Sequence, residues 1–295
     1  MVDLFGNGLS IKLFADDVKI YAVVDDVDDE SKFQAGLDAL NAWSAIWQLP
    51  ISLQKCSILH LGRKNKCHSF SVDNITLPDV KCAADLGVTV DSNLRFSKHY
   101  RCMVNKAQHR ASLILKTFVS REPILLFKAF TVYVLPLLEY CSPVWAPVYL
   151  ADINLIERVQ RRFTKRLRGL RYLSYCDRLS FLNNADTLEL RRLRSDLIMM
   201  FKILHKLVDM EFCDFFGFNN YGSTRGHAFK LIKPLCVNNA RQFSFACRRI
   251  DIWNSLPEYV IMSESVAVFV TVILDVEFFL NVCNFSVCSE SDISS

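Results

Sequence analysis

The chain has 295 residues and 33.9 kDa, enough for about two domains. Hydrophobic residues make up 51% and charged residues 22%, while Gly and Pro number only nine and eight, which excludes wholesale disorder and collagen-like or linker-dominated classes. The net charge of +4 hides an uneven distribution: −4 over residues 1–90, +10 over 91–172 and −2 over 173–295, so the middle attracts polyanions.

In chain order, Ile11–Phe14 and Val18–Val24 are apolar runs flanking Ala15-Asp16-Asp17, a tight β-hairpin with two carboxylates at its tip. The acidic run Asp25–Glu30 precedes Phe33, Leu37, Leu40, Trp43 and Trp47, one apolar face of a helix that Pro50 stops. Acids at a helix N-terminus are favoured by its dipole, which explains the run without metal binding. Ser52–Leu61 and Phe70–Leu77 read as short strands, and Asp85–Asp91 as another strand edge. From about Ser97 the pattern is helical. The predicted helices are 97–119, 122–140 with a break at Pro136, 152–170 and 186–208. Pro143 and Pro147 flank Val144-Trp145 in an irregular link.

Other site motifs are sparse. The eleven Cys, at 56, 67, 82, 102, 141, 176, 213, 236, 247, 283 and 288, form no close pairs. That spacing argues against zinc, and the odd number in a long chain argues against a disulfide framework, so they read as scattered buried thiols. Six His are dispersed, and His227 reads as a structural loop contact. Trp145 and Trp253 read as core anchors. The N-terminus meets acids too early for a signal peptide. Val266–Leu274 is too short to span a membrane and reads as a buried strand or helix. The expectation is an intracellular protein, cytoplasmic and/or nuclear and not secreted, with no membrane partner.

Two patterns carry chemistry. Adjacent aspartates on a hairpin tip can hold Mg²⁺, and paired Mg²⁺ ions serve phosphoryl transfer. The plain alternative for Asp16 and Asp17 is a solvated turn. Ile156–Arg171 holds seven basic residues and one acid, with Ile156, Val159, Phe163, Leu167 and Leu170 on one apolar face. Such a helix suits phosphate contact without base reading. A solvated bundle face and a membrane- or protein-facing amphipathic helix are the alternatives. Arg191-Arg192-x-Arg194 and Arg248-Arg249 read as candidate extensions of the basic surface.

Leu13-Phe14-Ala15-Asp16-Asp17, the Leu37/Leu40/Trp43/Trp47 helix, Lys55-Cys56 and Asp85-Leu86-Gly87-Val88 occur in a telling order. They are followed by Tyr133–Trp145, Glu157-Arg158-Val159-Gln160, Thr224-Arg225-Gly226-His227 and Trp253-Asn254-Ser255-Leu256-Pro257. Together, from about residue 10 to 270, the array resembles the reverse transcriptase of non-long-terminal-repeat retrotransposons, an RNA-directed DNA polymerase. The resemblance implies an α+β chain: an incomplete palm remnant over 1–95, thumb-like helices and a Pro-rich link over 96–150, a helical C-terminal domain with the basic helix over 151–270, and a divergent tail over 271–295. It implies catalytic roles for Asp16, Asp17 and Lys55. Asp16 and Asp17 would be ligands of a two-Mg²⁺ site, and Lys55 would lie near the incoming nucleotide's phosphates; an exposed strand-end lysine is the alternative there. Leu86 and Gly87 would hold the primer end. Arg158, Arg161, Arg162, Lys165, Arg166 and Arg168 would bind nucleic acid. An RNA template and a DNA primer are the implied partners, with dNTP only if the palm is complete.

The family's palm also needs an upstream aspartate and fingers. Only 15 residues precede Asp16, and their sole acid is Asp3. Ser52 stands where the family usually has Asn. The expectation is a polymerase fragment inactive alone, or a non-catalytic nucleic-acid-binding relic.

Overall fold

The computed structural model describes residues 8–62, 64–219 and 227–275. Asp3, Thr224-Arg225-Gly226 and most of the 271–295 tail lie outside them. The fold is α+β and divides into two compact units, Met1–Arg95 and Phe96–Ser295.

The first unit opens with the antiparallel hairpin β1 (Ser10–Phe14) and β2 (Asp17–Tyr21), in register from Ser10↔Tyr21 to Phe14↔Asp17. Helix α1 (Val27–Ile46) follows. The Asp26 carboxylate caps it by accepting from the Asp29 backbone N–H at 2.9 Å, and Asp28, Asp29 and Glu30 fill its first turn. The acidic run therefore begins the helix, as its sequence position requires. Leu37 and Leu40 are buried, but Trp47 lies past the helix end and is exposed.

The predicted strands are shorter than their apolar runs. Within Ser52–Leu61 the chain forms a 3₁₀ turn, Leu53–Lys55, and a two-residue strand β3 (Ile58–Leu59). Within Phe70–Leu77 it forms β4 (Ser71–Val72) and β5 (Ile75–Thr76), joined by Asp73 and Asn74, both at positive φ. β6 (Asp79–Val80) pairs parallel with β3, and β7 (Cys82–Asp85) pairs antiparallel with β8 (Val88–Asp91). Among the described residues the result is four separate two-stranded ladders. Leu37, Phe70, Val72 and Leu77 form the core, with Phe33 against Phe70 at 4.7 Å between ring centroids. The Gln34 side-chain amide binds both the N–H and the C=O of Ser71, at 3.0 and 2.8 Å, and fixes α1 on β4.

The second unit is helical. Helix α2 (Ser97–Thr117) is followed by α3 (Pro123–Tyr133), started by Pro123 and capped by the Glu122 carboxylate. The break falls at Val134, two residues before the predicted Pro136, which sits in the first turn of α4 (Leu135–Glu139). The link at Pro143 is a short helix, α5 (Ser142–Trp145). Trp145 is buried, and its backbone carbonyl accepts from the Tyr100 hydroxyl at 2.6 Å.

Helix α6 (Leu150–Lys165) ends five residues before the predicted 170. Leu167 and Leu170 still bury, at 2% exposure each, but from turns rather than from helix. After α7 (Tyr175–Phe181), α8 (Leu188–Leu204) forms the centre of the unit. Leu193, Leu197, Phe201 and Ile203 pack against Trp253, Val260, Phe269 and Ile273. The last described helix, Val266–Leu274, places Phe269 and Ile273 in this core, while Val268 and Leu274 are exposed. No described helix is long and apolar enough to cross a membrane. The thiols depart from the expectation of scattered buried groups: Cys67, Cys102 and Cys213 are exposed, Cys247 is buried, and Cys176 is disulfide-bonded rather than free.

Candidate nucleic-acid interface

The basic stretch is built by a division of faces along α6. Ile156, Val159 and Phe163 turn inward with Glu157, Gln160 and Thr164. Arg158, Arg161, Arg162 and Lys165 turn outward and are exposed, and so are Arg166, Arg168 and Arg171 in the following turn. No described carboxylate forms an ion pair with any of these seven cations. Arg161 lies over the Tyr175 ring at 5.1 Å, and Arg171 over Tyr172 at 5.7 Å. Cation–π contact of this kind holds a guanidinium in place without cancelling its charge.

The inward polar residues of α6 form a second, structural layer. The Glu157 carboxylate accepts from the Leu188 backbone N–H at 3.0 and 3.2 Å, at the start of α8, and from the Tyr175 hydroxyl. Gln160 donates to the Asp186 carbonyl at 2.8 Å and to the Tyr175 hydroxyl at 3.0 Å. Burial pushes the Glu157 carboxyl above its usual range, against the opposing pull of Tyr175 and Arg192. Burial and the neighbouring Glu157 raise Tyr175 well above an ordinary phenol. The Glu157-Arg158-Val159-Gln160 motif thus alternates roles. Glu157 and Gln160 hold the N-terminus of α8, Val159 enters the core and Arg158 faces solvent.

The other arginine clusters do not extend the basic surface. Arg192 is 2% exposed, and burial lowers its affinity for the proton despite Glu157 nearby. Arg194 pairs with Asp186 and donates to the Ile273 carbonyl at 2.9 Å, closing the C-terminal end of the last described helix. Arg191 pairs with Glu139. Arg248 and Arg249 both bind the buried Asp196. A run of arginines in sequence does not locate their carboxylates: Arg191, Arg248 and Arg249 pair with acids about 50 residues away and Arg194 with one eight residues away, while Arg192 is buried without an ion pair among the described residues.

In the first unit, Asp16 and Asp17 are exposed at the β1–β2 tip, with Ala15 at φ +51°. Leu86 and Gly87 form the β7–β8 turn, both at positive φ, the geometry that joins two strands most tightly. An ion pair between Lys19 and Asp85 ties one hairpin to the other. Lys55 is exposed on its 3₁₀ turn, and no described hydrogen bond or ion pair joins it to either aspartate. A two-metal centre needs several carboxylates converging on both ions. Among the described residues no group of three or more His, Cys, Asp or Glu is placed to hold a metal ion, so the tip aspartates do not by themselves fit that centre.

The remaining motifs act as clamps. Asn254 accepts from the Leu231 N–H at 2.8 Å and donates to its carbonyl at 2.9 Å. Trp253 donates to the Phe229 carbonyl at 3.1 Å, and His227 Nε2 lies 3.3 Å from the Trp253 carbonyl. Two residues beside the basic surface gave no sequence signal: Arg121, exposed between α2 and α3, and Tyr172, which is 92% exposed beside the basic turn. A lone arginine and a lone tyrosine acquire meaning only from their neighbours in space.

Two curated proteins are similar over less than half of this chain. One is an uncharacterized protein of Caenorhabditis elegans, 28% identical over 131 residues, covering 43% of this chain and 64% of that protein. The other is the RNA-directed DNA polymerase from mobile element jockey of Drosophila melanogaster, 23% identical over 143 residues, covering 47% of this chain. The chain spans only 16% of that polymerase's length. No family profile matches the chain. No solved structure matches it. The similarity to a mobile-element polymerase is therefore distant and partial.

Proposed function

We propose that the chain is a piece of a retrotransposon RNA-directed DNA polymerase, and that its own activity is sequence-independent binding of RNA or DNA through the outer face of α6 and the turn after it. One observation carries the reading. Seven cations share this surface with no described carboxylate partner, while Arg191, Arg194, Arg248 and Arg249 elsewhere in the unit are ion-paired. Unpaired guanidiniums on a rigid helix suit the phosphates of a polynucleotide, which they engage in bidentate fashion whatever the base. The partial similarity to the jockey polymerase agrees with a polynucleotide ligand.

Chemistry at the hairpin tip is a separate matter. Asp16 and Asp17 supply two carboxylates, and no polymerisation step is assigned to them. The chain alone is expected to give no Mg²⁺-dependent dNTP incorporation on a primed RNA template. Incorporation abolished by Asp16→Ala would restore the catalytic reading.

The binding test is a salt titration with a fluorescent single-stranded RNA. Affinity falls linearly in log–log form, with a slope of about −0.7 for each phosphate contacted on a single strand. A flat response, or no binding at about 50 mM salt, sinks the proposal.

A further inference from the structure

A cavity of about 370 Å³ opens where the C-terminal end of α2, the α2–α3 link and the turn after α6 meet, lined by Leu115, Arg121, Leu126, Arg166 and Arg168. Its lining has three arginines, two leucines and no acidic residue.

The early end of α6 creates it. On a continuing helix, residues 166 and 168 would point about 200° apart. Instead the Arg166 N–H bonds the Phe163 carbonyl at 3.0 Å, and Leu167 bonds Thr164 at 3.2 Å. Gly169 then turns the chain at φ +80°. Leu167 and Leu170 go to the core, and Arg166 and Arg168 both reach the one cavity. Arg121 meets them from the other side. Its Nη1 donates to the Leu115 carbonyl at 2.6 Å, in the last turns of α2, where the helix dipole favours a cation. That bond uses one of five donors and leaves the rest for a ligand. Three like charges around one small volume repel each other, and an anion with several acceptor oxygens relieves the repulsion.

We propose that this cavity binds a phosphate group of the polynucleotide, with Arg121, Arg166 and Arg168 as its donors and Leu115 and Leu126 as an apolar floor. The inference rests on the nucleic-acid reading above and adds to it a defined anchoring point. The phosphate can come from the backbone or from a strand end.

Three forms of the full chain test it: wild type, Arg121→Gln/Arg168→Gln in the cavity, and Arg158→Gln/Arg162→Gln on the outer face of α6. Each is titrated with single-stranded RNA across a salt series, and separately with inorganic phosphate while the arginine Nε–H NMR signals are followed. In the wild type, phosphate moves arginine signals, and the same shifts persist in the outer-face variant. In the cavity variant those shifts vanish, and the salt slope falls by about 0.7, the share of one phosphate. If the cavity variant keeps the wild-type slope while the outer-face variant loses affinity, the pocket is refuted and the nucleic-acid reading stands. If the wild type binds no RNA, both fall. Should the double variant unfold, Arg168→Lys keeps the charge and removes the guanidinium fork; phosphate shifts that remain unchanged in it overturn the assignment. RNA with and without a 5′-phosphate separates the sources, since a gain confined to the phosphorylated strand and to forms with an intact cavity identifies a strand end, and equal affinity identifies the backbone.

Discussion

Arg248 grips Asp196 with both edges of its guanidinium, Nε to Oδ2 at 2.9 Å and Nη2 to Oδ1 at 2.6 Å. The same Nη2 donates to the Pro143 carbonyl at 2.7 Å, and Arg249 Nε reaches Asp196 Oδ2 at 3.1 Å. One fully buried carboxylate thus joins α8, the α5 segment and residues 248–249.

Removing that carboxylate leaves arginines in the interior with no counter-charge. Breaking a buried pair from one side costs about 3–5 kcal/mol. Asp196→Ala is expected to lose stability on that scale, and Asp196→Asn to lose nearly as much, since the amide carries no charge. Urea unfolding followed by circular dichroism reads both. Midpoints unchanged from wild type would show that Asp196 does not hold these elements together.

His99 gives the second unit a pH dependence. It packs against Trp145 at 5.3 Å between centroids; burial, and then the charge of Lys106, lower its pKa below the ordinary 6.5. The folded state therefore takes up a proton less readily than the unfolded chain. This contribution to stability is complete above the ordinary value and declines as pH falls below it, towards the depressed value. His99→Phe should flatten that part of the stability–pH curve. A wild-type curve without a downward slope on acidification below 6.5 contradicts the assignment.

Tyr172 offers a flat, exposed ring beside the unpaired cations. Stacking of an unpaired base on such a ring contributes about 1–3 kcal/mol. If the polynucleotide crosses this surface as a single strand, Tyr172→Ala weakens single-strand binding by that amount and leaves duplex binding nearly unchanged. Equal loss for both forms assigns the ring a purely structural part.

A Cβ placed on Gly169 would meet no heavy atom within 4 Å, so the need for glycine there is conformational rather than spatial. A side chain at its φ of +80° costs about 1–2 kcal/mol. Gly169→Ala should lower stability by about that much and reduce RNA affinity with it, because Arg168 precedes the turn. A variant as stable as wild type would mean that the turn has another way to form.

Patterned features were legible in the sequence. The α1 stripe from Phe33 to Trp43, the acidic cap, a break within two residues of Pro136, the buried Trp145 and Trp253, and the outward cations of α6 all follow from spacing and local chemistry. Three kinds of feature were not. Strand lengths in the first unit depend on pairing between distant segments, so Ser52–Leu61 yields one two-residue strand. The internal arginines depend on partners such as Asp196 and Glu139, about 50 residues away, which local charge counting cannot locate. The end of α6 at Lys165 was hidden by an apolar spacing that continues through Leu167 and Leu170, because a turn can bury the same leucines. The glycine at 169 was the available signal.

The β1–β2 ribbon has consequences for how the protein behaves in concentrated solution. Phe14 is 63% exposed, Leu13 faces Val18 across the strands with both exposed, and no third strand joins the pair among the described residues. Lys12 on β1 is a gatekeeping charge against strand addition from a second molecule, while Lys19 opposite it on β2 is paired with Asp85. Salt screens such charges over about 10 Å at 0.1 M. If the second unit binds polynucleotide as proposed, the ionic strength that strips it also weakens this guard on the first, and self-association at high salt is the colloidal cost of purifying the chain free of nucleic acid.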